Sequence, residues 1–209
     1  LLLYYITDRA QFPGDEISRR RLLLDKIREA VECGVDLVQL RGKDLSSRQL
    51  ETCAREAAGL VRERPAGTTR FLINSRSDVA LACGADGVHL RSDDVGAREA
   101  RLIWGSIPDH KPPVIGVSCH SPAEVAHAQV AGADFAVFGP VFEKKNASAG
   151  GMGLAALRAA CASKIPVLAL GGVSLENAWA CADAGAAGIA AIRLFQENEI
   201  AEVVRRLRD

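Results

Sequence analysis

The chain has 209 residues, 48% of them hydrophobic, and its 26 basic and 26 acidic residues cancel. That length suits one compact domain with a sizeable core, spanning residues 1–209, and no global field recruits nucleic acid or a membrane surface. No apolar run approaches the ~20 residues of a bilayer span, and residues 1–6 lack the basic flank and cleavage site of a signal peptide, so a cytoplasmic protein is expected.

In chain order, residues 2–7 form a first short apolar run, too brief for a helix and ended by Asp8 and Arg9. A helical stretch over 18–33 follows, then Cys33-Gly34-Val35-Asp36 leads into a second apolar run ending at Leu40. Helix 46–63, with Ser46 as a credible N-cap, precedes a third run over 71–74. Helix 76–83 leads to Cys83-Gly84-Ala85-Asp86 and a fourth run ending at Leu90. Helix 97–104 and strand 114–118 come next, then Ser121-Pro122 opens helix 122–131 with Glu124 three residues after the serine. Ala131-Gly132-Ala133-Asp134 introduces the sixth run, to Phe138; helix 153–161, strand 166–171 and helix 174–184, with Ser174 as its expected cap, lead to Ala184-Gly185-Ala186-Ala187. The eighth run ends at Ile192, and a helix over 198–208 closes the chain.

The repeated small-Gly-small motif marks glycines 34, 84, 132 and 185, about 50 residues apart, twice the length of one strand-plus-helix unit. Each glycine suits the left-handed end of a helix, and each run after it suits a strand buried on both faces. Four copies imply eight βα units and a parallel (β/α)8 TIM barrel, which typically needs about 250 residues, so the loops must be brief. A doubly wound open sheet is the competing arrangement.

Six cysteines, at 33, 53, 83, 119, 161 and 181, show no C-x-x-C spacing and read as small buried hydrophobes. Cys119 falls at a strand's C-terminal end, where either packing or a reactive thiol is open.

Catalysis in such a barrel sits at the C-terminal strand ends, because the βα loops converge there. Those ends present Thr7-Asp8-Arg9; Gln39, Arg41 and Lys43; Asn74-Ser75-Arg76; His89, Arg91, Asp93 and Asp94; Ser118 and His120; Gly139 to Asn146, including Lys144; Gly171-Gly172; and Ile192-Arg193. Gly171-Gly172 before a helix can offer bare N–H groups to a phosphate, or be only a turn. Arg41 and Lys43 could hold a more highly charged group such as pyrophosphate, or form a solvated edge.

The stretches Tyr5-Ile6-Thr7-Asp8-Arg9, Gln39-Leu40-Arg41-Gly42-Lys43-Asp44-Leu45, Ile73-Asn74, Gly84-Ala85-Asp86-Gly87-Val88-His89-Leu90, Gly116-Val117-Ser118-Cys119-His120-Ser121, Gly139-Pro140-Val141-Phe142 and Pro166-Val167-Leu168-Ala169-Leu170-Gly171-Gly172 resemble the thiamine-phosphate synthase family, which also contains the thiazole tautomerase TenI. The resemblance runs from about residue 3 to 195. It implies coupling of hydroxymethylpyrimidine pyrophosphate to thiazole phosphate, with Mg2+ and basic side chains stabilising the departing pyrophosphate. By matched position, Gln39, Arg41, Lys43, Asn74 and Ser118 would contact the pyrimidine substrate or its pyrophosphate, and Asp94 would be a magnesium carboxylate or, on the residues alone, a helix cap. Gly171, Gly172 and the Ile192-Arg193 turn would hold the thiazole phosphate, with Lys144 reaching phosphate from its loop.

Four positions depart from the family pattern. Ser75 stands where an aspartate ligates magnesium, Arg91 where a small residue sits, Glu143-Lys144-Lys145-Asn146-Ala147 replaces a threonine-containing loop, and Arg193 replaces a serine. The tautomerase alternative needs no metal and places its acid/base histidine at His120, a residue that could equally bond a neighbouring loop. A non-catalytic binder of thiamine or its phosphates is a third reading. The partners expected are small phosphorylated molecules, and the sequence leaves a homo-oligomer open.

Overall fold

The computed structural model describes residues 1–63, 69–108, 111–143 and 150–208. Eight parallel strands close into a barrel in sequence order: β1 Leu2–Ile6, β2 Leu37–Leu40, β3 Arg70–Asn74, β4 Gly87–Leu90, β5 Val114–Cys119, β6 Phe135–Phe138, β7 Val167–Leu170 and β8 Gly188–Ala191. The β8 to β1 pairing, Leu3 beside Ile189 and Tyr5 beside Ala191, closes the ring and excludes the open sheet. Nine helices are described: α1 Glu16–Glu32, α2 Ser47–Arg62, α3 Ser77–Cys83, α4 Ala97–Gly105, α5 Pro122–Val130, α6 Gly153–Ala160, α7 Ala178–Asp183, α8 Arg193–Gln196 and α9 Ile200–Arg208.

The strand alternation divides the core in two. Outward residues such as Tyr5, Val38, Ile73, Phe138 and Ile189 pack under the helices, while Tyr4, Ile6, Leu37, Leu72, Phe135, Val137, Leu168 and Ala190 fill the barrel interior. Phe135 needs a neighbour without a side chain: a Cβ on Gly116, its register partner, would lie 2.3 Å from the ring.

The repeated motif works as its chemistry suggests. Gly34, Gly84, Gly132 and Gly185 all have positive φ. The aspartate two residues on has a second use, since Asp36, Asp86 and Asp134 accept the backbone N–H of Leu3, Phe71 and Ile115 at 2.7 to 2.8 Å. Each thus ties an odd-numbered strand to the next at the N-terminal end of the barrel.

Helix starts follow local capping. Ser46 and Gln49 form a reciprocal capping box, and Ser121 accepts from Glu124 N–H with Pro122 in the first turn. Ser174 does not cap α7: it belongs to a separate turn in which its N–H donates to Asn177 Oδ1 at 2.8 Å, and the helix begins at Ala178. Nor does Asp94 cap α4, whose N-cap is Gly96. The closing helix expected over 198–208 is α9, which begins at Ile200, and a further short helix, α8, follows β8 directly. All six cysteines are free, and Cys119, 1% exposed within the core cluster, is a packing residue whose thiol burial pushes up to about 12. Among the described residues no helix is long and apolar enough to cross a membrane.

Candidate active site

A cleft of about 960 Å3 opens at the C-terminal mouth of the barrel. Its lining includes Gln39, Arg41, Asn74, Ser118, Gly171, Gly172, Ile192 and Arg193, so the structure gathers eight separately predicted residues from five strand ends. Asp8, Glu143, Glu176 and Glu197 add carboxylates to the same wall.

The floor is a hydrogen-bonded polar layer on inward strand positions. Gln39 Nε2 donates to Asn74 Oδ1 at 2.8 Å, Tyr4 Oη donates to Gln39 Oε1 at 3.0 Å and lies 3.0 Å from His89 Nδ1, and His89 Nε2 lies 2.8 Å from Ser118 Oγ. His89 is 2% exposed, and burial lowers its pKa to about 4, so the ring is neutral at physiological pH. Tyr4 and His89 were not among the predicted contact residues. The available signal was alternation: Tyr4, Gln39, Asn74, His89 and Ser118 all fall on inward positions, Tyr4 mid-strand and the other four near the C-terminal ends of their strands.

Arg41 enters from the β2 loop, its N–H held by Thr7 Oγ1 at 3.1 Å and its guanidinium 3.4 Å from Asp8. Arg9, by contrast, is buried and ion-paired with Glu16 and Asp44, so it straps the first two loops together. Lys43 is exposed and lies outside the cleft lining.

Asp94 also lies outside that lining, with a side chain 15% exposed. Its Oδ2 accepts the Arg91 N–H at 2.7 Å and its Oδ1 is 3.6 Å from Arg91 Nε, while Arg91 binds Asp93 at 2.7 Å. Ser75 holds a left-handed backbone, φ 61°, and its Oγ accepts from Asn74 Nδ2 at 3.0 Å. Among the described residues no group of three or more His, Cys, Asp or Glu side chains is placed to hold a metal ion.

On the far side, Gly171 and Gly172 have φ of 93° and 65°, and α8 begins directly after Ile192. A Cβ on Gly171 would meet Pro140 at 2.6 Å and one on Gly172 would meet Phe142 Cβ at 2.7 Å. The Cβ direction of Gly172 is therefore filled by the β6 loop. His120 is exposed and outside the cleft lining, its Nδ1 2.7 Å from the Gly139 carbonyl. Lys144, with Lys145, Asn146 and Ala147, lies outside the described residues.

The family model described as thiamine monophosphate synthase matches residues 3–195. The chain belongs to that family. Among curated relatives of this family, the thiamine-phosphate synthase of Chlorobium luteolum is 39% identical over 88% of this chain and 84% of its own, and that of Moorella thermoacetica is 36% identical over 90% and 88%. The solved thiamine phosphate pyrophosphorylase from Pyrococcus furiosus superposes with a TM-score of 0.80 at 33% identity, covering 99% of this chain and 93% of that one. A 3-hexulose-6-phosphate synthase, at 17% identity and a TM-score of 0.67, shares the fold.

Proposed function

We propose that this protein is a thiamine-phosphate synthase, a transferase that couples hydroxymethylpyrimidine pyrophosphate to thiazole phosphate. The observation that carries the reading is one cleft with three chemically distinct walls. Its floor is a neutral hydrogen-bonding layer of Gln39, Asn74 and Ser118, one side bears Arg41, and the other bears Gly171-Gly172 and Arg193. A neutral layer of donors and acceptors reads the edge of a heteroaromatic ring. Arg41 beside it holds the ring's pyrophosphate, and the glycine turn with Arg193 holds the second substrate's phosphate.

In the reaction the bond between the pyrimidine methylene and its pyrophosphate oxygen breaks, and the thiazole nitrogen then bonds that carbon. Charge grows on the leaving group as the first bond breaks, so Arg41 stabilises the transition state more than the bound substrate. Gln39, Asn74 and Ser118 keep the ring from rotating while the bond is broken.

No cage of protein ligands stands ready for a magnesium ion among the described residues: Asp94, which stands off the cleft lining against Arg91, would supply one carboxylate, and substrate phosphates and water would complete the shell. When bound, the ion would neutralise charge on the departing pyrophosphate. The four carboxylates in the cleft wall also suit a phosphorylated ligand that arrives with a cation. The expected partners are small phosphorylated molecules in the cytoplasm. The tautomerase alternative is less well supported, because His120 sits outside the cleft lining with Nδ1 against a backbone carbonyl.

The test is a substrate panel with purified protein. Both synthase substrates with Mg2+ should give thiamine phosphate and pyrophosphate. Isomerisation of carboxythiazole phosphate without coupling, or binding without turnover, would overturn the reading.

A further inference from the structure

The polar layer at the barrel floor has a direction, set by the way the Asn74 and Gln39 amides are oriented. Asn74 Nδ2 donates to Ser75 Oγ and Gln39 Nε2 donates to Asn74 Oδ1, so Gln39 turns its carbonyl oxygen, which only accepts, towards Tyr4. Tyr4 has a single hydroxyl proton, committed to Gln39 Oε1; its oxygen can meet His89 Nδ1, 3.0 Å away, only by accepting from it. A neutral imidazole carries one proton, so His89 with Nδ1–H has a bare Nε2 that must accept from Ser118 O–H at 2.8 Å. Burial, which keeps His89 neutral, removes the doubly protonated alternative.

We propose that Tyr4 is a positioning residue that, acting through His89, turns Ser118 into a pure hydrogen-bond acceptor towards the cleft. Ser118 then selects a ligand that offers an N–H donor at that point, such as an exocyclic amine on a heteroaromatic ring, and disfavours the oxo counterpart. The identity of the ring rests on the coupling reading above; the polarity of the layer does not. Tyr4 is fully buried and outside the cleft lining, yet the layer has its sense only while its hydroxyl separates Gln39 from His89.

The polarity is read directly from the His89 tautomer in the full chain without ligand, by long-range proton–nitrogen NMR of 15N-histidine-labelled protein near pH 7, with His89→Gln assigning the signal. The expected result is Nδ1–H with a bare Nε2. Tyr4→Phe keeps the ring against Phe135 and removes the acceptor for Nδ1–H, so the proton should move wholly or partly to Nε2. Nε2–H in the wild type overturns the proposal without any variant, as does a Tyr4→Phe protein whose tautomer is unchanged. In turnover, wild type should prefer the aminopyrimidine pyrophosphate over its oxo analogue, and Tyr4→Phe should reduce that kcat/KM ratio by about tenfold, mainly through KM. A fall in kcat with the ratio intact would make Tyr4 merely structural. Absence of coupling in the wild type would instead remove the synthase reading, with the tautomer still deciding the polarity.

Discussion

Arg41 is the residue on which the proposed chemistry depends most. It is held at both ends, its backbone N–H by Thr7 and its guanidinium by Asp8, so it presents a fixed charge to the cleft. Arg41→Ala should lower kcat/KM for coupling by at least about a hundredfold, and Arg41→Lys should recover only part of it because an ammonium lacks the planar fork. Steady-state kinetics with pyrophosphate release as the signal checks both. Ser75 and Asp94 make a second expectation. With Asp94 as the single protein carboxylate, activity should need a high Mg2+ concentration, and Ser75→Asp should lower that requirement. Aspartate tolerates the left-handed conformation that Ser75 already adopts, so the variant adds little strain. Asp94→Asn should abolish coupling across a magnesium titration; retained activity would remove Asp94 from metal binding.

At the scale of elements, the site depends on how strand ends are tied to their loops. The Gly171-Gly172 turn after β7 is packed against Pro140, Phe142 and Glu143 from the loop after β6. Both glycines have positive φ, and the space beside Gly172 is occupied by Phe142 Cβ and the Glu143 carbonyl. Gly172→Val should therefore destabilise the fold by several kcal/mol as well as weaken phosphate binding, with backbone strain and overpacking acting together. Urea denaturation of the variant checks this, and wild-type stability would show that the β6 loop yields freely. A smaller replacement at Ile192, such as Ile192→Ala, is the cleaner probe of the phosphate side, since that residue borders the cleft without such a collision.

Across the whole molecule, the barrel interior trades apolar filling for a polar layer as it nears the mouth. Leu72, Phe135 and Leu168 fill the interior together with Tyr4, whose hydroxyl joins the polar layer of Gln39, His89 and Ser118. Keeping His89 neutral has a stability consequence with a definite sign. Its folded pKa of about 4 is below the ordinary 6.5, so between those values the unfolded chain binds the extra proton and stability falls as pH is lowered. The full effect is on the order of 3 kcal/mol. Chemical denaturation at pH 7 and pH 4 should show a steeper loss for wild type than for His89→Gln; equal slopes would mean that the ring is protonated in the fold.

The sequence by itself determined the eight βα units, because each repeat states its local physics. Gly34, Gly84, Gly132 and Gly185 end helices in a left-handed turn and the apolar runs behind them suit strands covered on both faces, whereas the pairing of β8 with β1 decided for a closed barrel over an open sheet. It also determined which residues stand at the C-terminal strand ends, since that depends on register alone. What tertiary structure decided was which of them converge. Gln39, Arg41, Asn74, Ser118, Gly171, Gly172, Ile192 and Arg193 line one cleft, whereas Lys43, Asp94 and His120 stand off it. Loop paths make that division, and local sequence does not fix loop paths when the partners that hold them are far along the chain, as Gly139 is for His120. The role of Tyr4 was hidden for the same reason, and His89 was legible only as a strand-end residue, until closure of the barrel brought positions 4, 39, 74, 89 and 118 into one hydrogen-bonded layer.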